Sequence, residues 1–211
     1  INNQDFYDNY DRTASKVYLG EYASHIGSRK STIQTALTCA LHICGMERNG
    51  DVVAMSSYAP LLAKRGHTQW NPDLIYFDNE GVYPTVDYEV QRMCGQAQGN
   101  QYISSSIIAS NNQEAVQKRL AVSTVHDTTT GRTYLKLVNL LPNPVNASLT
   151  LDDITALLPN GVSADNIQAT ATVLTGAWNS ENAKASAATP VTISSSSSLS
   201  LPPYSFTVIS F

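Results

Sequence analysis

The sequence predicts a mainly β protein in two parts: β/α units of the kind that build a (β/α)8, or TIM, barrel over residues 1–99, then an antiparallel, jelly-roll-like β-sandwich over 100–211. Three observations lead there. The first hundred residues alternate strand and helix signals in the order a barrel requires. Helix signals stop at Gly95-Gln96-Ala97-Gln98-Gly99-Asn100, where the chain turns rich in Ser, Thr, Asn and β-branched residues. Beyond that point, short apolar runs recur between Pro, Gly and Asn, the pattern of antiparallel sheets.

The first strand signal is Lys16-Val17-Tyr18-Leu19-Gly20-Glu21-Tyr22-Ala23. Val17, Tyr18 and Leu19 read as a buried strand, since a parallel strand covered on both faces is a continuous apolar run. Glu21 falls where the strand ends, and in α/β barrels the carboxyl ends of the strands carry the chemistry. The competing reading is a carboxylate that caps a helix or pairs with a nearby Arg or Lys. Tyr22, next along the strand, is expected to point the opposite way, toward the helices.

Ser31-Thr32-Ile33-Gln34 fits a capping box, with the Ser31 hydroxyl and the Gln34 side chain satisfying reciprocal backbone donors. Ile33, Ala36, Leu37, Ala40, Leu41 and Cys44 then repeat at three- and four-residue steps, one apolar stripe along a helix. Asn49-Gly50 is expected to end it through a left-handed glycine. Asp51 to Tyr58 reads as the next buried strand. A loop with Trp70-Asn71-Pro72-Asp73 leads to Leu74-Ile75-Tyr76-Phe77, and Pro84 suits the first position of a second helix with Val86, Val90 and Met93 on its inner face.

In the second part, Ala121–Val125 and Thr133–Val138 alternate around Thr129-Thr130-Gly131-Arg132, which is hairpin chemistry. Val145–Leu151, Ala169–Leu174 and Tyr204–Ile209 continue the strands, and Asp152 to Leu158 can make one helical turn. The low-complexity run Ser194 to Ser198 reads as part of a strand-turn-strand element, because Val191-Thr192-Ile193 precedes it and Leu199-Ser200-Leu201 resumes the alternation.

Charge excludes more than it indicates. A formal net charge of −4 without a Lys/Arg cluster argues against nucleic-acid binding. No run approaches the roughly eighteen apolar residues of a membrane span. No signal peptide is visible at Ile1. The compartment is left open, with secretion or the periplasm weakly favoured by the low charged fraction and the abundance of Ser, Thr and Asn. Cys39, Cys44 and Cys94 lack paired zinc-site spacing and read as small buried hydrophobes. His25, His42, His67 and His126 share no helical face, so no metal and no cofactor is expected; His42 reads as a polar-face residue, and His25 lies on the loop after Glu21.

Four ordered blocks carry a resemblance. Val17-Tyr18-Leu19-Gly20-Glu21-Tyr22-Ala23, Gly45-Met46-Glu47-Arg48-Asn49-Gly50-Asp51, Ser57-Tyr58-Ala59-Pro60-Leu61 and Trp70-Asn71-Pro72-Asp73-Leu74-Ile75-Tyr76-Phe77-Asp78 are similar to the α-L-arabinofuranosidases of glycoside hydrolase family 51. The ending Leu201-Pro202-Pro203-Tyr204-Ser205-Phe206-Thr207-Val208-Ile209 resembles that family's last sandwich strand. The resemblance implies a (β/α)8 barrel followed by a β-sandwich, with residues 1–99 as the last units of a truncated TIM barrel, hydrolysis with retention, and release of terminal arabinofuranose from polysaccharides or oligosaccharides. By position it implies that Glu21 is the nucleophile at the end of barrel strand seven. Asn71 and Asp73 fall in the strand-eight loop, where the family places polar groups that hold furanose hydroxyls, and Trp70 offers an apolar wall for a sugar ring.

The family's acid/base is a Glu in a Gly-Asn-Glu motif, which this chain lacks. Retaining hydrolysis needs two carboxyl groups about 5 to 5.5 Å apart. A barrel alone takes about 250 residues, so the chain is expected to begin part-way through one, with Asp5, Phe6, Tyr7, Tyr10 and Asp11 resembling the end of the preceding helix. Its expected partners are an arabinofuranosyl saccharide and the remaining N-terminal part of the same protein. By itself it is expected to be inactive, and its open edges favour self-association. A different class remains open: a non-catalytic accessory sandwich that binds carbohydrate or packs on a partner domain.

Overall fold

The computed structural model describes residues 4–110 and 113–211. In chain order the elements are β1 (Val17–Tyr22), α1 (Ile33–Arg48), β2 (Val53–Tyr58), β3 (Leu62–Lys64), β4 (Ile75–Phe77), β5 (Val82–Pro84), α2 (Val86–Gln96), β6 (Gln101–Ile103), α3 (Glu114–Gln117), β7 (Leu120–Asp127), β8 (Arg132–Asn139), β9 (Val145–Thr150), a 3-10 turn (Ile154–Leu157), β10 (Ile167–Thr175), β11 (Thr189–Ile193), β12 (Ser196–Leu201) and β13 (Ser205–Ser210).

An antiparallel sheet of six strands, in the order β11-β10-β13-β8-β7-β6, forms the middle layer. The antiparallel pair β9 and β12 covers one face. Between them Leu135, Leu137, Ile167, Ala169, Ile193, Leu201 and Ile209 form a core. The second part is thus an antiparallel β domain whose two facing sheets have six and two strands. The other face carries α1 and α2: Ala121, Val138, Leu174, Phe206 and Val208 pack in one cluster with Ile33, Leu37, Ala40, Leu41, Val90 and Met93. Apolar residues on both faces make β8 and β13 nearly continuous buried runs instead of alternating ones.

On the far side of α1, β1 and β2 pair in parallel. Val17, Leu19 and Tyr22 pack toward the helices, while Tyr18 and Met55 are more than half exposed. The expected fully buried strands are therefore covered on one face only. Residues 4–9 form turns in place of the end of a helix.

Several local expectations are corrected. Thr32, not Ser31, is the N-cap of α1, and its N–H donates to Thr35 Oγ1 at 2.8 Å. The next donors reach across the chain, with Ile33 N–H on the Ser180 carbonyl and Gln34 N–H on that of Trp178, both at 3.0 Å. Ser31 instead accepts from Asp87 N–H in the first turn of α2. The helix does stop before Asn49, but Gly50 is not among the positive-φ glycines; Asn49 closes the end by donating Nδ2 to the Gly45 carbonyl. Pro84 ends β5, and Thr85 caps α2. Val86, Val90 and Met93 lie inside as expected. His42 is not on a solvent face: its ring lies 6.2 Å from that of Tyr7 and 5.9 Å from that of Tyr22.

The hairpin forms as β7 and β8 with Gly131 left-handed at φ 72°. The serine run turns between two strands, yet β11 pairs with β10 and β12 with β9, so the chain switches sheets there.

A buried charge pair ties the helical layer to the middle sheet. Lys136 on β8 is fully buried and donates to Glu47 Oε1 at 2.6 Å, and Ser123 on β7 donates to Glu47 Oε2 at 2.5 Å. Removing one partner strands the other charge in a low-dielectric interior. Lys136→Met is expected to lower stability by about 3 kcal/mol, and adding Glu47→Gln to recover most of that. Urea unfolding checks this; equal midpoints for the single and double variants would show that the lone carboxylate is not the cost.

Candidate active site

Because β1 and β2 run in parallel, both release their loops at the same end. There the register matters. From the pair Leu19↔Ser56 to the pair Tyr22↔Tyr58, β1 advances three residues and β2 two. Strict alternation would put residue 21 on the helix side with Val17 and Leu19. The extra residue gives that place to Tyr22 and leaves Glu21 exposed at the strand end, the re-aiming that a bulge produces.

Tyr22 anchors the bulge and points to the helices, the expected side, though the bulge and not regular alternation puts it there: its hydroxyl donates to Gln91 Oε1 on α2 at 2.7 Å. Its ring meets that of Tyr58 edge-on at 5.7 Å between centroids. Burial pushes both phenols well above their ordinary range. Gln91 is a scaffold residue that no short motif marked, and Tyr58 lies in one of the four resembling blocks without a role assigned to it there.

The other candidates lie on the connection between β3 and β4, in the segment that follows β2. Trp70 is 48% exposed. Asn71 is exposed, and its Oδ1 accepts from the Tyr76 hydroxyl at 3.0 Å, leaving its amide hydrogens to solvent. Asp73 turns inward and is buried; it accepts from Thr68 Oγ1 at 3.3 Å, while its N–H donates to the Tyr76 oxygen at 2.9 Å. The β1–α1 loop reaches this segment, with the Arg29 guanidinium over the Trp70 ring at 4.8 Å and the His25 ring 6.1 Å away. Arg29 carried no sequence signal.

A cleft of about 940 Å³ elsewhere runs along β2 and the ends of the helices, lined by Glu47, Val53, Met55, Gln91 and Tyr102 among others, and includes none of Glu21, Trp70, Asn71 or Asp73. Cys39, Cys44 and Cys94 are buried free thiols, held protonated by burial. Among the described residues no group of three His, Cys, Asp or Glu is placed to hold a metal.

An exposed Glu thus stands at the carboxyl end of a parallel strand, and the loop that follows it touches the Trp70 segment through Arg29 and His25; comparison with known proteins specifies the family. The family model of the alpha-L-arabinofuranosidase C-terminal domain matches residues 8–207. The chain belongs to that family. It is 43% identical over 105 residues to an extracellular exo-alpha-L-arabinofuranosidase of Streptomyces chartreusis, covering 50% of this chain and 12% of that one. It is 29% identical over 160 residues to alpha-L-arabinofuranosidase 1 of Arabidopsis thaliana, covering 73% of this chain and 22% of the relative.

Among solved structures, an arabinose-bound family 51 α-L-arabinofuranosidase superposes with a TM-score of 0.83 at 26% identity, over 99% of this chain and 34% of the other. That of Thermotoga maritima superposes at 0.74 with 13% identity, over 93% and 43%, and shares the fold. The chain therefore spans less than half the length of these relatives.

Behind its strand ends the chain buries one more carboxylate. Asp87, fully buried in the first turn of α2, accepts from Thr35 Oγ1 at 2.9 Å and joins the N-termini of the two helices through Ser31. Desolvation raises its pKa from 3.8 to about 6, against the opposing pull of hydrogen bonds from Ser31, Thr35 and Cys39. The folded state thus holds this proton more tightly than the unfolded chain. The resulting stabilisation is full below pH 3.8, declines as the pH rises, and is lost above about 6, a swing of roughly 3 kcal/mol. Asp87→Asn is expected to flatten that part of the profile of melting temperature against pH and to match or exceed the parent at neutral pH. Parallel profiles for the two proteins would contradict it.

Proposed function

We propose that the protein containing this chain is a retaining α-L-arabinofuranosidase. In this reading residues 1–99 supply strands seven and eight with their helices to a (β/α)8 barrel, and residues 100–211 form the sandwich that buttresses it. The observation that carries the proposal is Glu21, turned outward by a bulge at the carboxyl end of a parallel strand in a chain of this family. The parallel β1–α1–β2 unit supports the barrel assignment, since parallel neighbours joined through a helix are that fold's repeat.

Glu21 attacks the anomeric carbon of a terminal non-reducing arabinofuranosyl unit and forms a covalent glycosyl-enzyme, while a second carboxyl group protonates the departing oxygen. That second group then takes a proton from water, which attacks from the face the leaving group vacated; two inversions give retention. The partner acid belongs to the rest of the polypeptide, because the family's Gly-Asn-Glu motif lies outside these residues.

Trp70 offers an apolar face to the bound saccharide and the Asn71 amide a donor to a hydroxyl, while Asp73, drawn into the loop, braces the segment from behind. The extracellular relative supports export of the enzyme, to the medium or the periplasm.

In the full-length protein, Glu21→Ala is expected to lower turnover of an aryl α-L-arabinofuranoside roughly ten-thousand-fold. Azide should restore part of the rate by attacking in place of the missing carboxylate. The isolated chain should not hydrolyse that substrate. A Glu21→Ala enzyme with ordinary rates would remove the assignment.

A further inference from the structure

Among the described residues, Arg29 is a cation on the β1–α1 loop that enters no ion pair. Its neighbours are paired: Lys30 with Glu181 at 2.7 Å and Arg65 with Asp78 at 3.6 Å. Among the described residues no carboxylate lies within ion-pair distance of the Arg29 guanidinium. The residue is exposed, and it holds a left-handed backbone at φ 54°, which an L side chain adopts only at a cost. Its guanidinium lies over the indole of Trp70. An arginine on an aromatic face keeps its N–H donors, which lie in the guanidinium plane, free for a carboxylate fork. The contact also restrains a long side chain that would otherwise have to be ordered on binding.

We propose that Arg29 and Trp70 together form a subsite for an acidic saccharide: the arabinofuranosyl unit is removed from a chain in which a neighbouring sugar carries a uronic-acid carboxylate. The proposal rests on the reading of Glu21 as nucleophile and names the substrate class of that site. Topology supplies the proximity. Arg29 lies on the loop that leaves β1 directly after Glu21, while Trp70 lies on the β3–β4 connection, which Leu74 N–H ties to the Pro60 carbonyl just past the end of the parallel neighbour β2, and the Arg29–Trp70 contact joins the two segments at the end where Glu21 is exposed. The uncovered part of the Trp70 ring takes the apolar face of a pyranose, while the guanidinium takes the acid. Lys30, bound to Glu181, and His25, beside the same indole, leave Arg29 as the fork-shaped donor of the cluster.

The test uses the full-length enzyme and two probes: an arabinofuranosylated xylo-oligosaccharide bearing one glucuronic acid, and the same molecule as its methyl ester. The wild type is expected to show a higher kcat/KM for the acid, with the acid-to-ester ratio falling as salt is raised. Arg29→Gln should lower that ratio about tenfold, and Arg29→Lys, which keeps the charge but not the fork, should retain part of it. A wild-type ratio near one, or a ratio that survives Arg29→Gln, overturns the acidic subsite while hydrolysis of the ester leaves Glu21 standing as nucleophile. If the wild type cleaves neither probe, nor an aryl arabinofuranoside, the reading of Glu21 fails and this subsite falls with it.

Discussion

The contact on which the architecture turns is the buried ion pair between Glu47 of α1 and Lys136 of β8, closed by the Ser123 hydroxyl. The helix lies between two sheets, with β1 and β2 on one side and the six-stranded antiparallel sheet on the other. Hydrophobic contact alone is non-directional and would tolerate sliding along the helix axis. A charge pair that must keep hydrogen-bond geometry does not, because a displaced partner leaves an uncompensated charge in a medium that penalises it. The pair at the C-terminal end of α1 and the Ser180 and Trp178 carbonyls at its N-terminal end register the helix at both ends against the β domain.

That registration reaches the candidate site. Tyr22 is held between α1 and α2 through Gln91 and the His42 ring, and the parallel register sets it against Tyr58. The strand end carrying Glu21 therefore inherits its position from the helices, which inherit theirs from the sheet behind them. This gives the β domain a structural part in chemistry to which it contributes none of the proposed reacting groups. Asp87 adds a second brace at the helix N-termini, at the end where the loops emerge.

Periodicity identified both long helices, and β-branched runs between Pro, Gly and Asn identified the antiparallel strands, because each depends on near neighbours. What it missed depends on distant ones. The first donor of α1, Ile33 N–H, is met from residue 180, and the Ser31 hydroxyl that reads locally as a cap serves α2 instead. His42 looks polar on a helical wheel, yet both its ring neighbours come from other segments. Ser194 to Ser198 shows alternation but not partners, and a change of sheet looks the same as a hairpin until the partners are seen. Glu21 was legible from the apolar run before it; the bulge that turns it outward was not, since a bulge is a relation between two strands.

By itself, then, the order of residues determined the helices, most of the strands, the change of character near residue 99 and the resemblance that singled out Glu21, all encoded in local propensity and short motifs. Only the tertiary structure decided that the middle sheet is covered on both faces, that Asp73 points inward while Trp70 and Asn71 face out, and that Arg29 lies over Trp70. The physical reason is that burial, pairing and side-chain direction are set by whichever distant segment excludes water from a residue, and nothing in its immediate neighbours carries that information.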